Sequence, residues 1–403
     1  MLRIFGAVMI RRCKMALTAI NEAGMPPLLD MLLPLGSRDP SILHGLLAIS
    51  MRASERSPQD LQHHQVALSQ LHAELRLSQM DEKGDSGQIH RLLSLSLLLC
   101  IFTLHQCDGT WAQHTRGMVG LVRSVEQSSL IQTPLGRFLV GVSCFQDLSA
   151  LALGRDRLSQ KAWLSWMSPH INRRPVGTLT ALEITTGYPE SLLDIIARIS
   201  ELAEDNFYRD LQKTLYDSAN DSRIVSNTNF SATSEDIEAA LMNWTPPTLP
   251  ASMSSFQQLA LRTAWQIFRK ACLLFHWKGH GFHSNLLVSV RADRSEKAAS
   301  YSAEILADIG AIVELGRLHN LSIGNAMLWP IAIIAGEFIH GPEQSQTDIL
   351  RIIDDISLLY YMEHPKQLAH VLRNIWAQAS MPSVTYLSVE QVVNELKLTI
   401  PLF

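Results

Sequence analysis

What most constrains this chain is a 3–4 spacing of apolar residues that recurs along nearly its whole length. Residues three and four apart share one face of an α-helix, whereas a half-buried strand alternates at every second residue. From Gln59 to Gln79, Leu61, Leu68, Leu71 and Leu75 keep the helical spacing, with His64 in the missing place. Leu192, Ile195, Ile196, Ile199 and Leu202 do the same between Glu190 and Ala203, and Pro189 stands near the start, where a missing N–H costs little. Tyr301, Ile305, Ile309, Ile312 and Val313 mark another helix; Ile349, Ile352, Ile353, Ile356 and Leu359 mark one more. Thr233 and Asp236 have the spacing of a capping box that opens a short helix through Trp244. The one candidate strand is Leu286 to Val290, where a loop fits equally well. The expected fold class is all-α, a single large domain of roughly a dozen helices packed as antiparallel hairpins.

The breaks between these helices are polar or proline-rich: Asp217 to Ser234, Thr245 to Pro250, and the prolines 26, 27, 34 and 40. None shows the shift in composition of an interdomain linker. The chain therefore divides into residues 1–24, a ragged N-terminal segment, and residues 25–403, the helical domain. The N-terminal segment carries Arg3, Arg11, Arg12 and Lys14 with no acid before Glu22, a composition that a mitochondrial presequence shares. Hydrophobic residues make up 47% of the chain and charged residues 18%, which excludes long disordered stretches. A net charge of −4 supplies no general drive toward nucleic acid. The longest apolar run, Leu92 to Leu104, is interrupted by Ser94, Ser96 and Thr103. It falls short of the roughly 18 residues of a membrane span and reads as a core helix.

Five cysteines, Cys13, Cys100, Cys107, Cys144 and Cys272, are too scattered for a disulfide framework, so a reducing compartment is expected. No C-x2-C occurs, although a binuclear zinc cluster needs two such pairs to bring thiolates around its metals. Several segments nonetheless follow one another in a recognisable order: DPSILHGLLAIS (39–50), HHQVALSQLHAEL (63–75), and LLLCIFTLHQCDGTWAQHTRGMVGLV (97–122) with Trp111, His114 and Gly117 in the spacing W-x-x-H-x-x-G. GYPESLLDIIARISELAED (187–205), AMLWPIAIIAGEF (326–338) and LAHVLRNIWAQAS (368–380) continue the series. Together they resemble the second type of fungal-specific transcription factor domain, the regulatory region of fungal zinc-cluster transcription factors, over about residues 25 to 400. The resemblance implies an α-helical regulatory domain that senses metabolites and contacts other regulators, here without the zinc cluster. It brings no catalytic residues. Trp111, His114 and Gly117 are expected to pack: an indole in the core, an imidazole bonding a backbone carbonyl, and a close helix crossing.

Histidine is the enriched reactive type. His276, His280 and His283 lie close together, but Gly279 and Gly281 argue against a helix there and no carboxylate is near, so no metal site is expected. No G-x-S-x-G elbow, phosphate loop or dinucleotide turn is present, and no cofactor is implied. Asp354 and Asp355 lack the third acid of a metal–diphosphate motif and read as a solvated helix face; Cys100 and Cys107 read as small buried hydrophobes. For a ligand pocket the candidates are Trp111, His114, Trp265, His276 and Trp329, with a place in the ordinary core as the competing reading of each.

Two functions follow. The first is a regulatory, metabolite-sensing domain of a fungal transcription factor without its own DNA reader, controlling a metabolic gene set from the nucleus. The alternative is a cytoplasmic, cofactor-free cyclase of secondary metabolism. Such an enzyme would catalyse a Diels–Alder-type cycloaddition by holding a reactive chain in a folded pose. The expected partners are a small hydrophobic metabolite and either a full-length zinc-cluster regulator or a second copy of the chain; neither nucleic acid nor membrane is expected to bind directly.

Overall fold

The structure, a computed structural model, describes residues 18–20, 27–54, 58–78, 86–106, 109–125, 130–154, 159–173, 178–216, 228–280, 288–339, 341–360, 362–379 and 389–402. Sixteen α-helices account for most of them, and the all-α expectation holds. The first six are α1 (Pro27–Gly36), α2 (Pro40–Ser54), α3 (Pro58–Ser78), α4 (Ser86–Gln106), α5 (Trp111–Arg123) and α6 (Pro134–Asp147). The short α7 (Ala162–Trp166) and α8 (Ala181–Thr186) lead into α9 (Glu190–Tyr216) and α10 (Thr228–Met242). Two long helices follow, α11 (Ser255–His280) and α12 (Val288–His319). The chain ends with α13 (Leu328–Ala335), α14 (Glu343–Leu359), α15 (His364–Ala379) and α16 (Val389–Glu395).

Neighbours in sequence pair in space. Helices α2 and α3, α4 and α5, α11 and α12, and α14 and α15 form packed hairpins. The N-terminal group is centred on α4, which touches α2, α3, α5 and α6; the C-terminal group is centred on α11 and α12. Helices α7 and α9 join the groups, α7 packing on α6 and α9, and α9 on α11, and α15 does so by reaching α4. One continuous hydrophobic cluster runs through both. The described strands are two residues each, β1 (Ala152–Leu153) and β2 (Ile400–Pro401), paired antiparallel, so the C-terminus closes against the middle of the chain. At the expected strand, Val288 already begins α12.

Local signals set the helix ends. The Thr133 side chain accepts a bond from the Gly136 N–H at the start of α6, with Pro134 in the first turn. Helix α8 opens on a capping box between Thr180 and Glu183 and closes on Gly187 at φ 77°. The box is shared with the next helix: the Thr180 hydroxyl donates to the Glu190 carboxylate at 2.7 Å and the Glu190 N–H to Glu183 at 3.0 Å. That fixes the angle between α8 and α9.

Several expectations need correction. Helix α10 begins at Thr228, so Thr233 lies inside it rather than capping it, and it ends at Met242; Trp244 lies beyond and donates to the Ser191 hydroxyl at 3.1 Å. Helix α11 runs through Gly279, so His276 is helical after all. A glycine in the last turn costs only about 1 kcal/mol, which packing of α11 against its neighbours outweighs. In α3 Leu61 is exposed, and the buried face runs Asp60, His64, Ala67, Leu71, Glu74. Gly117 faces open space; the close crossing belongs to Gly45, where an added Cβ would stand 3.0 Å from Leu98 of α4. Helix α4 extends beyond the apolar run, and Gly87–Gln106 is long and apolar enough to cross a membrane by length and composition, but 72% of that window is buried in the fold.

Candidate ligand cavity

A cavity of about 110 Å³ lies where the two helical groups meet. Helix α4 lends Leu97, Ile101 and Leu104, one stripe at helical spacing, with His105 beside it. Helix α6 lends a matching stripe, Phe138, Val142 and Phe145, followed by Gln146. Leu28 of α1, Thr185 and Thr186 of α8, and Asn325 and Ala326 of a short 3₁₀ turn complete the inner wall. Met362 and His364, at the start of α15, close the remaining side.

The polar groups on this wall are held by neighbours behind it. The Gln146 amide oxygen accepts from the Cys100 thiol at 3.5 Å and from the Thr115 hydroxyl at 3.4 Å. The Thr186 hydroxyl donates to the Leu182 carbonyl and accepts from the Tyr188 N–H. Thr185 donates back to Ala181, and the Asn325 amide donates to the Thr18 carbonyl at 3.4 Å. Among the described residues, no carboxylate, lysine, arginine or thiol lines the cavity. Such a wall can bind and orient a ligand; the groups on it that could move a proton or act as nucleophiles are the imidazoles of His105 and His364 and hydroxyls already bonded to backbone.

None of the five residues expected from the sequence lines this cavity. Trp111 is fully buried one layer behind Gln146: its carbonyl lies 3.6 Å from the Cys100 sulfur and its indole N–H donates to the Thr399 carbonyl at 3.4 Å. His114 is half-buried on α5. Trp265 and Trp329 share a buried aromatic block built on Tyr188, which stacks on Phe268 at 3.9 Å and meets Trp329 edge-on at 6.4 Å. The Trp265 indole donates to the Gly187 carbonyl at 3.0 Å. The block supports the cavity from outside, since Tyr188 packs against Phe145 and donates to the Ala326 carbonyl. Its phenol is pushed well up by burial.

His276 lies apart, fully buried on α11, with its Nε2 3.2 Å from the Ser234 hydroxyl. Burial, and then the charge of Arg294, lower its pKa to about 4, so it is a neutral imidazole at pH 7. The His280 side chain and His283 lie outside the described residues. Among the described residues, no three His, Cys, Asp or Glu side chains gather as metal ligands.

The sequence reading missed Gln146 and Asn325. Gln146 carries a signal, a long amide directly after the largely apolar stretch FLVGVSCF; Asn325 carries none, because only the fold brings its turn to this wall.

The family model for a fungal specific transcription factor domain matches residues 13–400. The chain belongs to that family. No curated protein and no solved structure matches it. For this fungal transcription factor domain, membership supports a regulatory role in transcription. The match takes in Thr18–Ile20, which the sequence division placed in the N-terminal segment. In the structure these residues are buried, with the Ala19 and Ile20 N–H groups donating to the Thr185 and Ile184 carbonyls at 3.0 and 2.9 Å.

Proposed function

We propose that this domain senses a small metabolite in the cavity and passes its occupancy to the N-terminal side of the chain. The observation that carries this reading is shared use of one wall. Thr185 and Asn325 line the cavity, and the same two residues hold the segment Thr18–Ile20 through a backbone bond and a side-chain amide. A ligand that shifts either residue changes the seat of that segment, because a packed wall moves in discrete steps rather than bending freely.

On this reading the protein acts in the nucleus on a metabolic gene set. These 403 residues contain no C-x2-C pair, so on this reading they supply the sensing part of the regulator and not a zinc-cluster DNA reader. Gene deletion in the host, read by transcript and metabolite profiling together, tests the assignment. Collapse of a coordinated transcript set is the expected result. Steady transcripts with accumulation of one unprocessed intermediate would overturn it in favour of the cyclase.

A further inference from the structure

We propose that the cavity takes an uncharged amphiphile about one ring in size. The inference rests on the reading of this cavity as the sensing site, and it names the ligand class from size and charge. An engineered apolar cavity of about 150 Å³ takes benzene. At about 110 Å³ and partly open, this one has room for a single ring or a short aliphatic body, with a substituent at its mouth. A polycyclic product or a long folded chain would stand largely outside it.

Charge narrows the class further. The wall pairs the α4 and α6 stripes with neutral amides and hydroxyls, and among the described residues its only ionisable members are His105 and His364. An ionised carboxylate or ammonium brought here would lose its hydration without a permanent counter-charge. A ligand hydroxyl would keep a hydrogen-bonding partner, since the Thr185 hydroxyl, already donating to Ala181, keeps acceptor capacity. The ligand therefore presents an apolar ring to Leu97, Ile101, Phe138 and Val142 and a neutral polar group to the opposite wall.

The test is calorimetric titration and thermal shift on the full chain with benzyl alcohol, benzoate and 2-naphthol. Benzyl alcohol is expected to bind and raise the melting temperature, with benzoate about 100-fold weaker at pH 7.5 because its carboxylate goes unpaired. The uncharged two-ring 2-naphthol is expected to bind more weakly than benzyl alcohol. Val142→Phe fills the cavity and is expected to abolish binding. Val142→Leu, a milder change that keeps the protein foldable, is expected to weaken it. Tighter binding of benzoate would show that His105 or His364 recruits an anion, and tighter binding of 2-naphthol would refute the size limit; either overturns the proposal. So would unchanged affinity in folded Val142→Leu. If none of the three probes binds, the ligand class fails while the sensing reading still stands or falls on the transcripts.

Discussion

Lowering the pH from 7 to 5 should destabilise this protein through one residue, His276. The side chain is 1% exposed, and burial holds its pKa at about 4 against an ordinary 6.5. The unfolded chain takes up a proton as pH falls through 6.5, whereas the native protein does so only near 4, so stability is full above 6.5 and is lost across that window. At pH 5 an unfolded imidazole is about thirtyfold more often protonated than not, while the native one remains mostly neutral. The difference, RT ln 30, is about 2 kcal/mol, and it saturates near 3 kcal/mol below pH 4. The assay is urea unfolding at pH 7 and 5 for the wild type and His276→Asn, which keeps a neutral polar group near Ser234 but cannot titrate. The wild type should lose about 2 kcal/mol more than the variant between the two pH values. Equal losses would refute the reasoning, since the acid sensitivity would then belong to other groups.

Gly187→Ala should cost about 2–4 kcal/mol, because φ is 77° there and the new methyl would meet Ile323 at 2.7 Å and Ala19 at 2.8 Å; thermal melting measures the loss. Trp265→Phe removes the indole bond to the Gly187 carbonyl and should cost about 1–3 kcal/mol in the same assay. Thr180→Ala breaks the capping box and the bond to Glu190, for about 1–2 kcal/mol, read by urea unfolding. Asn325→Leu removes the amide that holds the Thr18 carbonyl; hydrogen exchange at the Ala19 and Ile20 amides should speed up while core helices such as α14 keep their protection.

The helices were legible wherever an apolar stripe alone decided burial. In α14 Ile349, Ile352, Ile353 and Ile356 are all buried, as their spacing requires. The stripe misled in α3, where counting apolar residues put Leu61 inside. There Arg91 of α4 pairs with both Asp39 and Glu74, the latter at 2.9 Å, and this pairing holds Glu74 on the buried face. Periodicity of hydrophobic residues has no term for an acid held at the edge of the core by a half-exposed arginine. His64 shows the opposite case: its place in the stripe pointed to the core, and it is buried against Phe102 with ring centroids 4.3 Å apart. The cavity was illegible for another reason. Its lining comes from segments spread between Leu28 and His364, and each stripe looks, by itself, like ordinary core. Tryptophans drew attention as pocket candidates, yet a large ring is what a dense core accommodates first, and Trp111, Trp265 and Trp329 are fully buried for that reason.

The aromatic block and the cavity are two layers of one device. Trp265 and Tyr188 hold the Gly187 and Ala326 carbonyls, at the junction after α8 and in the turn before α13. Those two segments also carry the cavity residues that grip Thr18–Ile20. On the proposed sensing reading, the buried rings behind the wall limit how far a ligand can push the Ile323–Met327 turn outward. The ligand then acts on the Thr185 and Asn325 bonds to Thr18–Ile20, a segment that is itself buried in the core. On the same reading, it is this shared use of Thr185 and Asn325, more than the presence of a cavity, that would let the domain report occupancy instead of merely storing a ligand.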